Sequence, residues 1–249
     1  PSRYLGSVYD IAIHPQDSSH VYAAVHGGVG KSTDGGVTWE KIPLSISSYV
    51  QAVTIDPVAS TTVYDGTGSG VAKTMDGGAS WTEMNSGLGS ADVNALVLDP
   101  VAPSTLYAGT RSGGVFKSTD GAHSWTAVNN GLTSQNVIAL AIDPTSSNIL
   151  YIGTEGGGLF KSTDGGANWS AAKSGLSSSE INALAIDPSD SETIYIAGFI
   201  HVYKSTDGAA SWTRCSNELG ILRDVAVDPL DPVRVYTAGF YGLYYHDFQ

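Results

Sequence analysis

The tryptophans of this chain are spaced like the marks of a ruler, and that spacing restricts the fold more than any other feature. Trp39, Trp81, Trp125, Trp169 and Trp212 are separated by 42, 44, 44 and 43 residues. Asp-Pro pairs keep the same interval, at Asp56-Pro57, Asp99-Pro100, Asp143-Pro144, Asp187-Pro188 and Asp228-Pro229, and His14-Pro15 takes the equivalent place in the first copy. Six copies therefore begin and five reach a tryptophan. The repeat units run over about residues 8–49, 50–92, 93–136, 137–180, 181–222 and 223–249. A fixed period of this length marks an array in which each unit is one supersecondary element that buries its faces against its neighbours.

Within a copy, short runs of β-branched and apolar residues alternate with turn residues, a strand pattern rather than a helical one. In the third copy, Val93 to Leu98 reads as a first strand and Asp99-Pro100 as the turn after it. Thr105 to Ala108, Val115 to Ser118 and Trp125 to Val128 read as the second, third and fourth strands, with a glycine-rich loop at Gly109 to Gly114. Four short antiparallel strands in about 43 residues is the size of one propeller blade. The expected fold is all-β, a single β-propeller over residues 1–249 with six blades. Tyr22, Tyr64, Tyr107, Tyr151, Tyr195 and Tyr236 share one second-strand position and are expected between blades. The sixth copy stops after Gly242-Leu243-Tyr244-Tyr245 without a repeat-type fourth strand. Ser2-Arg3-Tyr4-Leu5 is the segment available to pair beside that last strand, and otherwise the edge is open to a partner chain.

Composition agrees and narrows the partners. Thirty glycines and only 14% charged residues suit short strands and tight turns. Twelve basic against twenty-four acidic residues give a net charge of -12, which opposes binding to nucleic acid or to anionic membranes. One cysteine, Cys215, excludes an intramolecular disulfide framework. No apolar stretch approaches the length that spans a bilayer, so no membrane insertion is expected. The chain opens at Pro1 without a signal-type segment, so its start is expected upstream, and few lysines with much Gly, Ser and Thr point to a periplasmic or secreted protein.

The stretch Ser32-Thr33-Asp34-Gly35-Gly36-Val37-Thr38-Trp39 returns at Thr74 to Trp81, Ser118 to Trp125, Ser162 to Trp169 and Ser205 to Trp212. It resembles the Asp-box, or BNR repeat, and the resemblance covers nearly the whole chain. The carboxylates Asp34, Asp76, Asp120, Asp164 and Asp207 are expected to accept backbone N–H groups in the turn, glycine to supply the positive φ, and tryptophan to anchor the blade. They fall on five different blades, which argues against a shared catalytic or metal site. Families similar in this repeat include sialidases, xyloglucanases, sortilin-type receptors and photosystem II assembly and stability factors. They share the fold and differ in chemistry, so function has to be read from sites.

An enzyme reading finds little to stand on. The sialidase resemblance implies an arginine triad, and Arg3, Arg111, Arg214, Arg223 and Arg234 do not match it. The xyloglucanase resemblance implies two carboxylates across a long cleft between two propellers. His14, His20, His26, His123, His201 and His246 show no metal spacing, so no catalytic residue, metal or cofactor is assigned. The loops between second and third strands, which gather where propellers commonly bind, are bland in four copies, with Arg111 and Glu155 the charged exceptions. In the last two copies Phe199-Ile200-His201 and Phe240-Tyr241 replace glycine and polar residues. Phe199, His201, Phe240 and Tyr241, with Arg111 and Glu155, are the candidate ligand-binding residues. The expectation is a non-enzymatic binding or scaffold propeller that takes a protein segment or a glycan at the loop face. The alternatives are a glycoside hydrolase-like protein and a structural or engineered repeat protein without a ligand. Oligomerisation is expected, if anywhere, through the incomplete last blade.

Overall fold

A computed structural model describes residues 2, 5–44, 49–89, 92–216 and 219–247. Every regular element in it is a strand, and the strands form six antiparallel sheets in chain order, the blades of a β-propeller. The first sheet holds β1 (Val8–Ile13), β2 (Val21–Val25), β3 (Gly28–Ser32) and β4 (Glu40–Ile42). The second holds β5 (Val50–Ile55), β6 (Val63–Thr67), β7 (Gly70–Thr74) and β8 (Thr82–Glu83). The third holds β9 (Val93–Leu98), β10 (Leu106–Thr110), β11 (Gly114–Ser118) and β12 (Thr126–Ala127). In the fourth are β13 (Val137–Asp143), β14 (Ser146–Thr154), β15 (Gly158–Ser162) and β16 (Ser170–Ala171). In the fifth are β17 (Ile181–Asp187), β18 (Asp190–Gly198), β19 (Val202–Ser205) and β20 (Thr213–Arg214). The sixth has three strands among the described residues, β21 (Leu222–Val227), β22 (Arg234–Gly239) and β23 (Gly242–Asp247). The chain divides into two compact units, Pro1–Ala127 and Val128–Gln249, each with three sheets.

Inside each unit the cores lie between successive sheets, because a blade is apolar on both faces and covers its neighbour. In the first unit Tyr22, Ala24 and Val29 pack on Val50, Val53, Ile55 and Val63, and Tyr64 and Val71 pack on Val93, Leu96, Leu98 and Leu106. In the second, Tyr151 and Leu159 meet Ile181 and Ile194, while Tyr195, Ala197 and Val202 meet Leu222, Val225 and Val235. The second-strand tyrosines are buried as expected in the first five sheets, but Tyr236 in the sixth is only partly buried.

The repeated Asp turn explains its own sequence. Ser118 Oγ donates to Asp120 Oδ1 at 2.8 Å and accepts the Ala122 N–H at 3.0 Å, while Asp120 Oδ1 accepts the Ser124 N–H at 2.9 Å. The Ser124 hydroxyl closes the turn on Asp120 Oδ2 at 2.6 Å. The residue before tryptophan thus has a job in every copy, filled by Thr38, Ser80, Ser124, Asn168 and Ser211. That side-chain hydrogen bond, followed by the backbone N–H of the same residue, holds the carboxyls of Asp34, Asp120 and Asp207 down at about 2. The second turn position is left-handed, and Ala122 and Ala209 occupy it at φ 72° and 71° where other copies have glycine.

The third-strand lysine is a structural cation. Lys31, Lys73, Lys117, Lys161 and Lys204 lie over the ring of their own sheet's tyrosine, 5.0 Å from the centroid at Tyr64 and 5.8 Å at Tyr22. Lys31 Nζ donates to the Gly77 carbonyl at 2.7 Å and Lys161 Nζ to the Gly208 carbonyl at 2.7 Å, each on the Asp turn of the next sheet. Lys73 does the same to Gly121 at 3.1 Å.

Ser2 exchanges both backbone hydrogen bonds with Trp39, at 2.8 Å each. Trp125, Trp169 and Trp212 donate their N–H to Ser86, Asn130 and Ser174 in the connectors between blades. Ser2 fills that connector slot for Trp39, and Leu5 packs over Gly30, where a Cβ would lie 2.5 Å from Leu5 Cδ1. Arg3 and Tyr4 lie outside the described residues.

Candidate functional site

Backbone pairing puts the second-to-third strand loops and the first-strand starts at one end of each sheet. Gly68 N–H pairs with the Tyr49 carbonyl, Arg111 with Asp92, Glu155 with Asn136 and Phe240 with Ile221. The Asp turns lie at the other end, against the first-to-second strand turns, through Gly35 to Ser19, Gly77 to Thr61, Gly121 to Ser104, Gly165 to Asn148 and Gly208 to Glu192.

A second device works at the loop end. All six first strands slip register at their second residue, so Tyr9, Gln51, Asn94, Ile138, Asn182 and Arg223 stand as bulged residues. A bulge re-aims a side chain out of the pleat. Asn182 Nδ2 spends this on the Leu222 carbonyl at 2.9 Å, a structural tie. Gln51 Nε2 donates to Asp92 Oδ1 at 2.7 Å, Arg223 lies 5.9 Å over the Phe240 ring, and Tyr9 stacks on Tyr49.

In the first unit these bulges build an aromatic and polar cleft. The rings of Tyr9 and Tyr49 stack with centroids 6.0 Å apart and planes 29° from parallel, and the His26 ring lies 5.6 Å from that of Tyr49, tilted by 48°. Both tyrosines are half exposed, at 47% and 49%. Beside them a cleft of about 320 Å³ is lined by Tyr49, Gln51, Gly68, Asp92 and Arg111. Arg111 Nη1 stands 3.4 Å from Asp92 Oδ2, so Asp92 holds Gln51 with one oxygen and Arg111 with the other. Lys41 Nζ donates to the His26 carbonyl at 2.6 Å. Burial, then the charge and hydrogen bond of Tyr49, push the Tyr9 phenol up from its ordinary range.

The second unit carries a different loop-end patch. Gly198 N–H closes a tight turn on the His201 carbonyl at 2.9 Å, with Phe199 and Ile200 at its tip. Leu219 N–H donates to Ile200 and Leu222 N–H to Phe199, while Phe240 N–H donates to Ile221. The connector before β21 therefore ties the Phe199 tip to the Phe240 tip. Tyr241 lies over Gly220, where a Cβ would come 2.4 Å from Tyr241 Cδ2, so glycine is required for that approach. Phe240 and Tyr241 are 70% and 79% exposed. A pocket of about 250 Å³ is lined by Ser177, Ser178, Phe199, Ile200, His201 and Tyr203. Ser177 Oγ and Tyr203 OH are 2.6 Å apart in it, and His201 Nδ1 is buried without a partner.

Of the residues singled out in the sequence, Phe199, His201, Phe240 and Tyr241 share this patch of the second unit. Arg111 belongs to the cleft of the first unit. Glu155 accepts the Asn136 amide and lines neither. Tyr9, Tyr49 and His26 were not foreseen; aligning the copies by column singles out Tyr49, which stands where others have Asp92, Asn136, Glu180 and Ile221. Cys215 lies behind Val202, and burial pushes its thiol up to about 12, which suits packing rather than nucleophilic attack.

The fold has known counterparts. The chain is similar to a GH74 enzyme of Niastella koreensis with a TM-score of 0.81 and 21% identity, over 96% of this chain and 45% of that one. It is similar to the GH74 xyloglucanase from Xanthomonas campestris with a TM-score of 0.82 and 17% identity, over 98% of this chain and 45% of the enzyme. The extracellular domain of a hybrid two component system from B. thetaiotaomicron gives 0.77 and 14%, over 99% of this chain and 34% of that one. This chain thus spans less than half the length of each. No protein-family model matches it, and no curated protein matches it in sequence. At these identities the likeness establishes the propeller fold alone.

Proposed function

We propose that this chain is a non-catalytic glycan-binding propeller that works outside the cytoplasm and takes oligosaccharide at the loop end of its sheets. The observation that carries this is the exposed Tyr9–Tyr49 stack beside the cleft of Gln51, Asp92 and Arg111. Pyranose rings have an apolar face that packs on aromatic rings and an equator of hydroxyls that need donors and acceptors. A flat aromatic surface next to an amide, a carboxylate and a guanidinium offers both. Phe199, Phe240 and Tyr241 give the second unit a platform of the same kind. Two of the similar structures are GH74 enzymes, one a xyloglucanase, and this favours a glycan over a peptide.

Catalysis is not proposed, because the carboxylate that lines the cleft, Asp92, is tied between Gln51 and Arg111. A buried, desolvated acid of the kind that protonates a leaving group is not among the cleft's lining residues. A glycan array probed with the wild type, Tyr49→Ala and Phe240→Ala tests the proposal. Loss of an aromatic anchor should weaken binding of the responding glycans about tenfold or more. Blank arrays together with capture of one defined peptide would replace the glycan by a protein ligand.

A further inference from the structure

Accounting for the cations of this acidic chain narrows the ligand of the first unit. Of twelve Lys and Arg residues, five lysines are committed to the tyrosine rings of their own sheets. Arg234 is paired with Asp231 at 3.3 Å, and Arg223 lies over Phe240. Arg111 is different. It lines a cleft, its side chain is 68% exposed, and it meets its carboxylate partner at only 3.4 Å. Asp92 is itself held by the shorter bond from Gln51, so the guanidinium is steered by the acid while most of its donor fork stays unspent. Lys41 adds a second positive charge, donating to the carbonyl of His26, whose ring lies 5.6 Å from that of Tyr49.

We infer that the first unit's cleft binds a sugar bearing a carboxylate, a uronate residue, with its ring on Tyr49 and its carboxylate on the Arg111 fork. The inference rests on the glycan-binding reading above and deepens it. Arginine pairs bidentately with carboxylate, and a planar acid projecting from a pyranose ring fits a guanidinium set beside an aromatic face. The net charge of -12 limits the ligand further. A polyuronate would meet that field along its whole length, whereas one uronate in a neutral glycan meets the local cations within about a Debye length of 8 Å and little else. The ligand class is thus a neutral glycan carrying isolated uronate residues.

The test compares two probes of matched backbone, xylotetraose and a glucuronoxylan-derived xylotetraose with one glucuronate branch, by calorimetric titration of the whole chain. Wild type should bind the acidic probe about tenfold more tightly, the low end of what a hydrogen bond to a charged group contributes. Arg111→Gln should abolish that preference, and Arg234→Gln, on the exposed pair with Asp231, should retain it. Circular dichroism and melting of both variants report whether the fold is kept. Equal affinity for the two probes, or a preference that survives Arg111→Gln, overturns the uronate inference and leaves glycan binding standing. Failure of both probes on the wild type, joined to blank glycan arrays, overturns the two together.

Discussion

Replacing Asp65 by alanine is expected to stabilise the protein, by about 1–3 kcal/mol at neutral pH, the usual penalty of a buried polar group without a partner. Asp65 lies in β6, 0% exposed, and neither carboxylate oxygen has a hydrogen-bond partner. Its column holds Ala23, Ala108, Ile152, Ile196 and Thr237 in the other sheets, so an uncharged and mostly apolar side chain suits the slot. Burial, and next the Asp10 carboxylate on β1, drive its carboxyl well above the ordinary carboxylate range. Asp10 is itself occupied, accepting the N–H groups of Ile11 and Val53. The phenol of Tyr22 is raised by burial and then by Asp65.

The sign of the pH dependence follows. A carboxyl whose folded pKa is raised binds its proton more tightly when folded. Its favourable share of stability is complete below the ordinary carboxylate range and is lost as pH rises towards the raised value. The Asp-turn carboxyls act oppositely, since their folded values near 2 lend stability that disappears as pH falls from about 4. Denaturant midpoints of wild type and Asp65→Ala between pH 4 and 8 should diverge as pH rises. Midpoints that stay parallel, or a variant less stable throughout, would show that Asp65 is not a buried, uncompensated acid.

Trp169→Ala is the substitution expected to cost most, about 3–5 kcal/mol for a buried tryptophan. Trp169 is 4% exposed, its indole N–H donates to the Val128 carbonyl at 2.8 Å, and its backbone N–H takes the Asn130 carbonyl at 2.9 Å. It also fixes the connector at Gly131, where a Cβ would stand 2.1 Å from the Trp169 carbonyl oxygen. Removing the ring leaves a cavity and an unpaired carbonyl at once. Trp39 occupies the same column but is only half-buried, so Trp39→Ala should cost clearly less. Unfolding followed by circular dichroism in urea would decide it, and equal losses for the two would contradict the anchoring role.

These two residues show why the fold was more legible than the site. Trp169 belongs to a column that repeats, and a repeated residue reports what every copy needs, such as an anchor, a turn carboxylate or a left-handed glycine. Asp65 is the one charged residue of its column and Tyr49 stands in a column where every copy differs, so both are visible only when the copies are aligned residue by residue. Phe199, His201, Phe240 and Tyr241 were found that way, because glycine gives way to aromatics in their loops. Tyr9 escaped because its exposure depends on a bulge, and a register slip in β1 leaves no mark in the residues beside it. Lys31, Lys73 and Lys161 carried no assignment in the sequence, because only the packing of blade on blade brings each to a carbonyl of the next Asp turn.

The most direct measurement is to incubate the protein with xyloglucan and with glucuronoxylan, and to read polysaccharide retention by affinity electrophoresis and new reducing ends in the same samples. A binding propeller should retain at least one of them, with retention weakened by Tyr49→Ala or Phe240→Ala and reducing ends at the level of buffer. Release of reducing ends, or retention indifferent to both substitutions, would contradict a loop-end glycan site without catalysis.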